Sequence, residues 1–271
     1  MRRRHPWPRK ALDASVKVAS GIASLLGIFF LGWILYVVAL RGAAAIDWEF
    51  LTSLPAPPMV EGGGLGNAIA GTALMTSIAA LAGIPAGLLG GVFLAEHGAR
   101  FGIADAVRFT ANVLMGMPSI IIGLFVYTAI VVPAGRFSGW AGAVSLAFIM
   151  LPVVMRTTED MLGMVPNELR EAALSLGAPR WKVTVGVVFR AARAGLVTGV
   201  LLAIARVSGE TAPLLFTALN SPYAVESLGR PTANLTVTIF SYAMSPYERW
   251  QAMAWGGSLL ITAAVLALTV L

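Results

Sequence analysis

Arg206 and Glu210 are the only charged residues in a long apolar run, Ala194–Leu219. A charge near the centre of a membrane-spanning helix costs at least about 2.5–3.5 kcal/mol, so we expect Arg206 to face a partner or a water-filled cavity. Glu210 follows four residues later, which in a continuous helix places both side chains on one face. The two residues therefore form either a structural ion pair or, because a guanidinium donates paired hydrogen bonds to oxyanions, a contact for an anion crossing the membrane.

Arg156 is a second candidate for an anion path, because it ends another apolar run, Gly139–Met155. Its alternative role is a positively charged anchor that snorkels to the membrane surface. Hydroxyl groups at Ser119, Ser208 and Thr211 add possible donors. Membrane serines and threonines more often bond their own helix backbone, so these three are weaker candidates.

Sequence signals of an enzyme are missing. The chain has no Gly-x-x-x-x-Gly-Lys-Ser/Thr phosphate loop, no Gly-x-Ser-x-Gly elbow and no cysteine, and its histidines are His5 and His97. We therefore expect no catalytic residue, no metal and no cofactor in this chain. Any energy from ATP has to come through another subunit.

The composition is that of a membrane protein. Hydrophobic residues make up 58% of the 271 residues and charged residues 12%, whereas a soluble domain has about 25% charged residues. The net charge of +6 lies beside apolar segments. Membrane orientation therefore explains this charge better than nucleic-acid binding does.

Six apolar runs are long enough to cross a bilayer, which needs about 20 residues. They are Val18–Leu40, Gly66–Ala95, Phe109–Val132, Gly139–Met155, Ala194–Leu219 and Trp250–Leu271. We predict an all-α membrane protein with six transmembrane helices. The first run exceeds the roughly 7–15 residues of a signal-peptide core, which favours an uncleaved helix, although Ala43-Ala44-Ala45 resembles a cleavage site. Small residues recur in the second run and either allow close helix packing or are merely tolerated in lipid, at Gly71, Gly83, Gly87 and Gly91.

The basic residues predict the orientation, because lysine and arginine favour the cytoplasmic side. With the N-terminus inside, the inner segments hold Arg2, Arg3, Arg4, Arg9, Lys10, Lys17, Arg100, Arg108, Arg156, Arg170, Arg180, Lys182, Arg190 and Arg193. The outer segments hold only Arg41, Arg136, Arg230 and Arg249. We therefore expect cytoplasmic termini, including residues 1–17, followed by the first helix, 18–40, an external linker, 41–65, and a five-helix core, 66–271, with a cytoplasmic loop, 156–193, and an external segment, 220–249.

The cytoplasmic loop contains a short helix with clear start and stop signals. Pro166 suits a first turn, and Glu168 and Glu171 favour the positive N-terminal end. Gly177 suits a left-handed position after the helix, and Pro179 prevents its continuation. The residues alone leave two possibilities: the helix docks in a groove of a partner protein, or it lies on its own bundle or on the membrane surface.

Three segments resemble one transporter family. Glu171-Ala172-Ala173, followed after three residues by Gly177, resembles the EAA loop of ABC importer permeases, although the usual Leu-Pro pair is replaced by Phe189-Arg190. Met117–Phe125 resembles the Pro-Ser-Ile-x-x-Gly-Leu motif of phosphate permeases. Ala205–Ala218 resembles the Gly-Glu-Thr-Ala-Pro-Leu-Leu-Phe signature of their PstA-type subunits.

This resemblance implies a type I ABC importer permease fold and phosphate transport by alternating access in the inner membrane. It implies a pathway along Arg206, Glu210 and Arg156, and ATPase coupling through Glu171, Ala172, Ala173 and Gly177. The implied partners are a homologous PstC-type permease, an ATPase dimer that holds ATP-Mg, an external phosphate-binding protein and membrane lipid, with no nucleic acid. The alternatives are a permease for sulfate or molybdate and a membrane scaffold or enzyme that transports nothing.

Overall fold

The computed structural model describes residues 7–98 and 101–270, with only the backbone described for residues 7–9 and 11. Arg2, Arg3, Arg4, His5, Arg100 and Leu271 lie outside these ranges. The described helices are α1 (Trp7–Ala43), α2 (Trp48–Thr52), α3 (Gly66–His97), α4 (Ile103–Gly116), α5 (Ser119–Ala134), α6 (Gly139–Gly163), α7 (Asn167–Ser175), α8 (Arg180–Ser208), α9 (Ala212–Thr217), α10 (Leu235–Ala243) and α11 (Glu248–Val270). Helices α5 and α8 each contain one π-helical turn, Tyr127–Val131 and Thr184–Val188.

Five helices are long and apolar enough to cross a membrane: α1, α3, α6, α8 and α11. Helices α4 and α5 together make a sixth candidate span, which is bent by 105°. The described ranges contain no β-strand. The prediction of an all-α membrane protein is therefore confirmed, with the third span strongly bent.

Helices α3 and α6 pack along the centre of the bundle with their backbones close together. A Cβ atom added at Gly87 would lie 2.7 Å from Val154 Cβ, and one added at Gly91 would lie 2.6 Å from the Met155 carbonyl oxygen. Such contacts are too close for any side chain. The four glycines that the sequence pattern selected in α3 are all buried: Gly71, Gly83, Gly87 and Gly91. The packing interpretation of these glycines is therefore correct.

The main core joins six helices, this pair included. Met75 of α3 and Met150 of α6 are fully buried, and Ile122, Val207 and Leu214 reach the same cluster from α5, α8 and α9. Because α6 contacts α3, α5, α8 and α9, it is the central support for the broken helices described next.

Two predicted spans are not continuous helices. The run Phe109–Val132 breaks between Gly116 and Ser119, because Pro118 forces an extended Met117, whose ψ is 139°. The run Ala194–Leu219 ends its helix at Ser208 and resumes at Ala212. Pro213 has no N–H to donate to the carbonyl oxygen of Gly209 four residues earlier, so the helix cannot pass through this point.

Other helix bounds differ from the sequence prediction. The first helix already includes Trp7, the first described residue, and runs to Ala43, whereas the apolar run spans Val18–Leu40. Helix α6 extends eight residues past Met155 to Gly163, where Arg156 forms an ion pair with Glu159 one turn later. The segment 156–193 is consequently helical over most of its length, with α7 between two longer helices. The linker 41–65 contains α2, and the segment 220–249 contains α10.

Helix α1 lies at the edge of the bundle. None of the residues in its apolar window is buried. Its contact with α11 is near its end, where Gly42 faces the Trp255 carbonyl oxygen and the Arg41 guanidinium lies 5.2 Å from the centre of the Trp255 ring. An apolar helix with so little internal contact needs lipid or another apolar surface around it.

Candidate translocation and coupling sites

Arg206 lies on α8 two residues before the helix ends at Ser208. Its side chain is exposed on the surface of this chain. No described carboxylate lies within ion-pair distance of it, so the ion pair with Glu210 that a continuous helix suggested does not form. The reason is the helix break, because Glu210 falls in the non-helical residues between α8 and α9 and is no longer one helical turn from Arg206.

The break after Arg206 is held by a buried polar network. The single hydroxyl proton of Thr236 is shared between the Glu210 carbonyl oxygen, 2.8 Å from Oγ1, and Asn234 Oδ1, 3.1 Å away. Asn234 is fully buried, accepts from the Val237 N–H at 2.9 Å and donates to the Leu219 carbonyl oxygen at 3.3 Å. These bonds satisfy backbone groups that the break leaves without helical partners.

Sequence inspection did not select Asn234 or Thr236 as site residues. Asn234 does carry a recognisable signal, since asparagine is a preferred helix N-cap and the run that begins at Leu235 follows it directly. The sequence does not show that Thr236 and Asn234 bond to the carbonyl oxygens of residues 210 and 219. That contact depends on the path of the intervening loop.

The two broken helices meet each other. Helix α5 packs against α9, and a Cβ atom added at Gly123 would lie 2.6 Å from Pro213 Cα. The motif residues 117–125 and 205–218 are therefore neighbours in the fold, although about 90 residues separate them. Ser208 donates to the Ile204 carbonyl oxygen at 2.8 Å, which is the self-bonding expected of a membrane serine.

Arg156 occupies a different environment from Arg206. It forms ion pairs with Glu159 and, at 3.9 Å, with Asp160. Glu159 also accepts from Arg108 Nε at 2.6 Å. The Arg108–Glu159 contact ties α4 to α6, and Arg156 has internal counter-charges on its own helix, unlike Arg206.

The two arginines also lie at different depths. Helices α6 and α8 run antiparallel, with Gly195 facing Met161 and Gly199 facing Thr157. Arg156 is adjacent to Thr157, whereas Arg206 is seven residues beyond Gly199. At 1.5 Å per residue this places them about 10 Å apart along the helix axes.

The predicted coupling helix is present as α7. Glu171 and Ala172 are exposed, and Ala173 is half-buried against the bundle. Gly177 has a φ of +80°, the left-handed conformation that its position predicted. Pro166 occupies the N-cap position, one residue before the first helical residue, rather than the first turn where it was predicted. The described residues hold no group of three or more potential metal ligands.

Comparisons with known proteins agree with this architecture. Residues 83–271 match the model of the family described as binding-protein-dependent transport system inner membrane component. The phosphate transport system permease protein PstA of Yersinia pestis is 46% identical over 270 residues, covering 100% of this chain and 91% of that protein. PstA of Pasteurella multocida is 47% identical over 263 residues, covering 97% of this chain and 93% of that protein.

A solved structure shows the same fold at low identity. A bacterial alginate ABC transporter, in complex with an alginate pentasaccharide-bound periplasmic protein, has a chain with a TM-score of 0.65 and 13% identity. The similarity covers 97% of this chain and 94% of that one. The helical architecture is therefore that of an ABC importer permease. With full-length relatives at this level of identity, the chain belongs to the PstA family of phosphate transport system permease proteins, a multi-pass membrane component of binding-protein-dependent transport systems.

Proposed function

We propose that this chain is the membrane-spanning subunit of an ATP-driven importer that moves inorganic phosphate across the inner membrane by alternating access. The observation that supports this most strongly is the 46% identity to a phosphate permease over the whole chain. The site agrees with it, because the Arg206 guanidinium lies beside a helix break and has no ion-pair partner among the described residues. A phosphate ion is a suitable counter-charge for such a group.

The path we propose runs along the face of α8 that carries Arg206. Leu202, one turn earlier, is 49% exposed, and Gly209 beyond it is also exposed. A homologous PstC-type permease would cover this face and enclose the pathway. Glu210, four residues after Arg206, would influence the electrostatic potential of the path from the break, and Arg156 would act nearer the cytoplasmic end.

The chain supplies no ATP-binding motif, so we propose that ATP-Mg is held by a separate ATPase dimer. One ATPase subunit would contact Glu171, Ala172, Ala173 and Gly177 in and after α7. An external phosphate-binding protein would deliver phosphate on the opposite side of the membrane. In this arrangement both chain termini are cytoplasmic.

Reconstitution tests the substrate and the transport function together. The complex of this chain with its permease and ATPase partners is placed in liposomes with the phosphate-binding protein. We expect ATP hydrolysis and uptake to rise with phosphate and not with sulfate or molybdate. Stimulation by sulfate or molybdate alone would identify a different oxyanion importer, and the absence of ATP-dependent uptake of all three would refute the transport proposal.

Labelling of a single cysteine checks the orientation. The natural chain has no cysteine, and Ser175 on α7 and Tyr223 in the segment after α9 are both exposed. We expect a membrane-impermeant thiol reagent added outside to label Tyr223→Cys and leave Ser175→Cys unlabelled. Labelling of Ser175→Cys from outside would place α7 on the wrong side for an ATPase.

Charge reversal at Glu171 checks ATPase docking. We expect Glu171→Lys to lower the amount of ATPase that co-purifies by about tenfold, because a reversed charge at an interface is repelled by the group that had paired with it. Glu226→Lys is the matched control, since Glu226 is equally exposed but lies on the proposed external side. Equal recovery of the ATPase with both variants would contradict the docking assignment.

A further inference from the structure

Helix α7 has few packed contacts with the bundle. None of its nine residues is fully buried. Its apolar attachment is through Ala173, which packs against the cluster that contains Leu162, Val183 and Val188. Leu169 and Leu174 remain 42% and 39% exposed. A displacement of α7 therefore needs another contact if it is to be transmitted to the long helices.

Arg170 makes that connection. Its guanidinium forms an ion pair with Glu96 near the end of α3, and its second terminal nitrogen donates to the Leu162 carbonyl oxygen of α6 at 2.6 Å. Both side chains of the ion pair are only 17% exposed. Partial burial makes such a pair stronger than an ordinary surface ion pair.

Empty space surrounds the Arg170–Glu96 pair on one side. A cavity of about 490 Å³ lies between α7, the end of α3 and the start of α8, with Glu96, Arg170, Leu174 and Trp181 among its lining residues. Side chains do not fill the gap between α7 and α3 there. The Arg170–Glu96 pair bridges α7 and α3 at the edge of this gap, so it can pass a displacement between the two helices in addition to the apolar contact of Ala173.

We propose that Arg170 is a positioning residue that couples α7 to α3 and α6. This inference rests on the proposed function, in which an ATPase moves α7. The Arg170 guanidinium contacts α3 and α6 at once, and the glycines of α3 let these two helices pack closely together. A displacement of α7 is thereby passed to the central helix pair and, through the core around α6, to the broken helices beside Arg206.

Substitutions that preserve charge or size test this role. Arg170→Lys keeps a positive charge but has one compact donor group, so it cannot hold Glu96 and the Leu162 carbonyl oxygen in the same geometry. Glu96→Gln keeps the size and removes the charge. Arg180→Lys is the control, since Arg180 lines the same cavity without an ion pair among the described residues.

The measurement is the number of phosphate ions taken up for each ATP hydrolysed by the reconstituted complex. We expect Arg170→Lys and Glu96→Gln to assemble with the ATPase and hydrolyse ATP within about twofold of the unchanged complex, while uptake per ATP falls about tenfold, as for loss of a partly buried charged contact. Arg180→Lys keeps the normal ratio.

Two results would overturn the proposal for Arg170. One is an unchanged ratio in both variants, and the other is a parallel fall of hydrolysis, uptake and assembled complex, which is the signature of a merely structural residue. Measurements on the complex without substitutions distinguish failure of the Arg170 proposal from failure of the proposed function. If this complex shows no phosphate-dependent ATP hydrolysis, both proposals fail, whereas normal coupling in the unchanged complex and in both variants refutes only the role of Arg170.

Discussion

Replacing Arg206 with alanine will lower phosphate uptake by about 100-fold or more, because loss of a desolvated charged contact costs roughly 2–5 kcal/mol. The complex should still assemble. Arg206 is exposed in this chain and has no ion-pair partner among the described residues, so its removal breaks no internal contact. The measurement is uptake of labelled phosphate, normalised to the amount of purified complex.

Two further variants separate the chemistry of Arg206 from its charge. Arg206→Lys keeps the charge but loses the planar fork, so we expect uptake between that of the unchanged chain and that of the alanine variant. Arg193→Ala removes an exposed arginine from the same helix, nearer its start, and should leave uptake within about twofold, the usual result for a solvated charge. Normal uptake with Arg206→Ala would refute the pathway assignment.

Replacing Gly91 with alanine will destabilise the bundle and reduce the recovery of folded protein. The added Cβ atom would lie 2.6 Å from the Met155 carbonyl oxygen, so α3 and α6 must move apart. Overpacking of this kind costs about 1–3 kcal/mol. The loss should appear as a lower midpoint of thermal unfolding in detergent, together with less complex recovered with the partner subunits.

Gly186 provides the matched control for Gly91. It also lies in a helical segment, and a Cβ atom added there meets nothing within 4 Å. Alanine is ordinarily favoured over glycine in a helix by about 0.5–1 kcal/mol, so Gly186→Ala should be neutral or stabilising. Equal stability of the two variants would show that the close approach of α3 and α6 does not limit the stability of the bundle.

Local signals predicted much of this protein correctly. Hydropathy located all six apolar segments, because the cost of placing a residue in lipid is a sum over neighbouring residues. The glycines of α3 predicted a close helix contact, and Gly177 predicted the left-handed end of α7. Each of these features depends on residues within one continuous stretch of about 20 residues or fewer.

The breaks were only partly predictable. A proline disturbs a helix, so Pro118 and Pro213 are local signals of a break, but hydropathy stays high across both and predicts one continuous span in each run. The distinction between a mild kink and a 105° bend depends on what the two halves pack against. Here the second half of one broken helix, α5, packs against α9, the short helix after the other break.

The sequence by itself determined that the chain spans the membrane and which motifs place it in its family. Only the tertiary structure decided that Arg206 has no counter-charge among the described residues and that Arg156 has one. It also decided that Arg170 reaches Glu96, which is 74 residues away along the chain. The physical reason is that helix formation and membrane insertion depend on local sequence, whereas the pairing of charges depends on which helices pack together and at what depth.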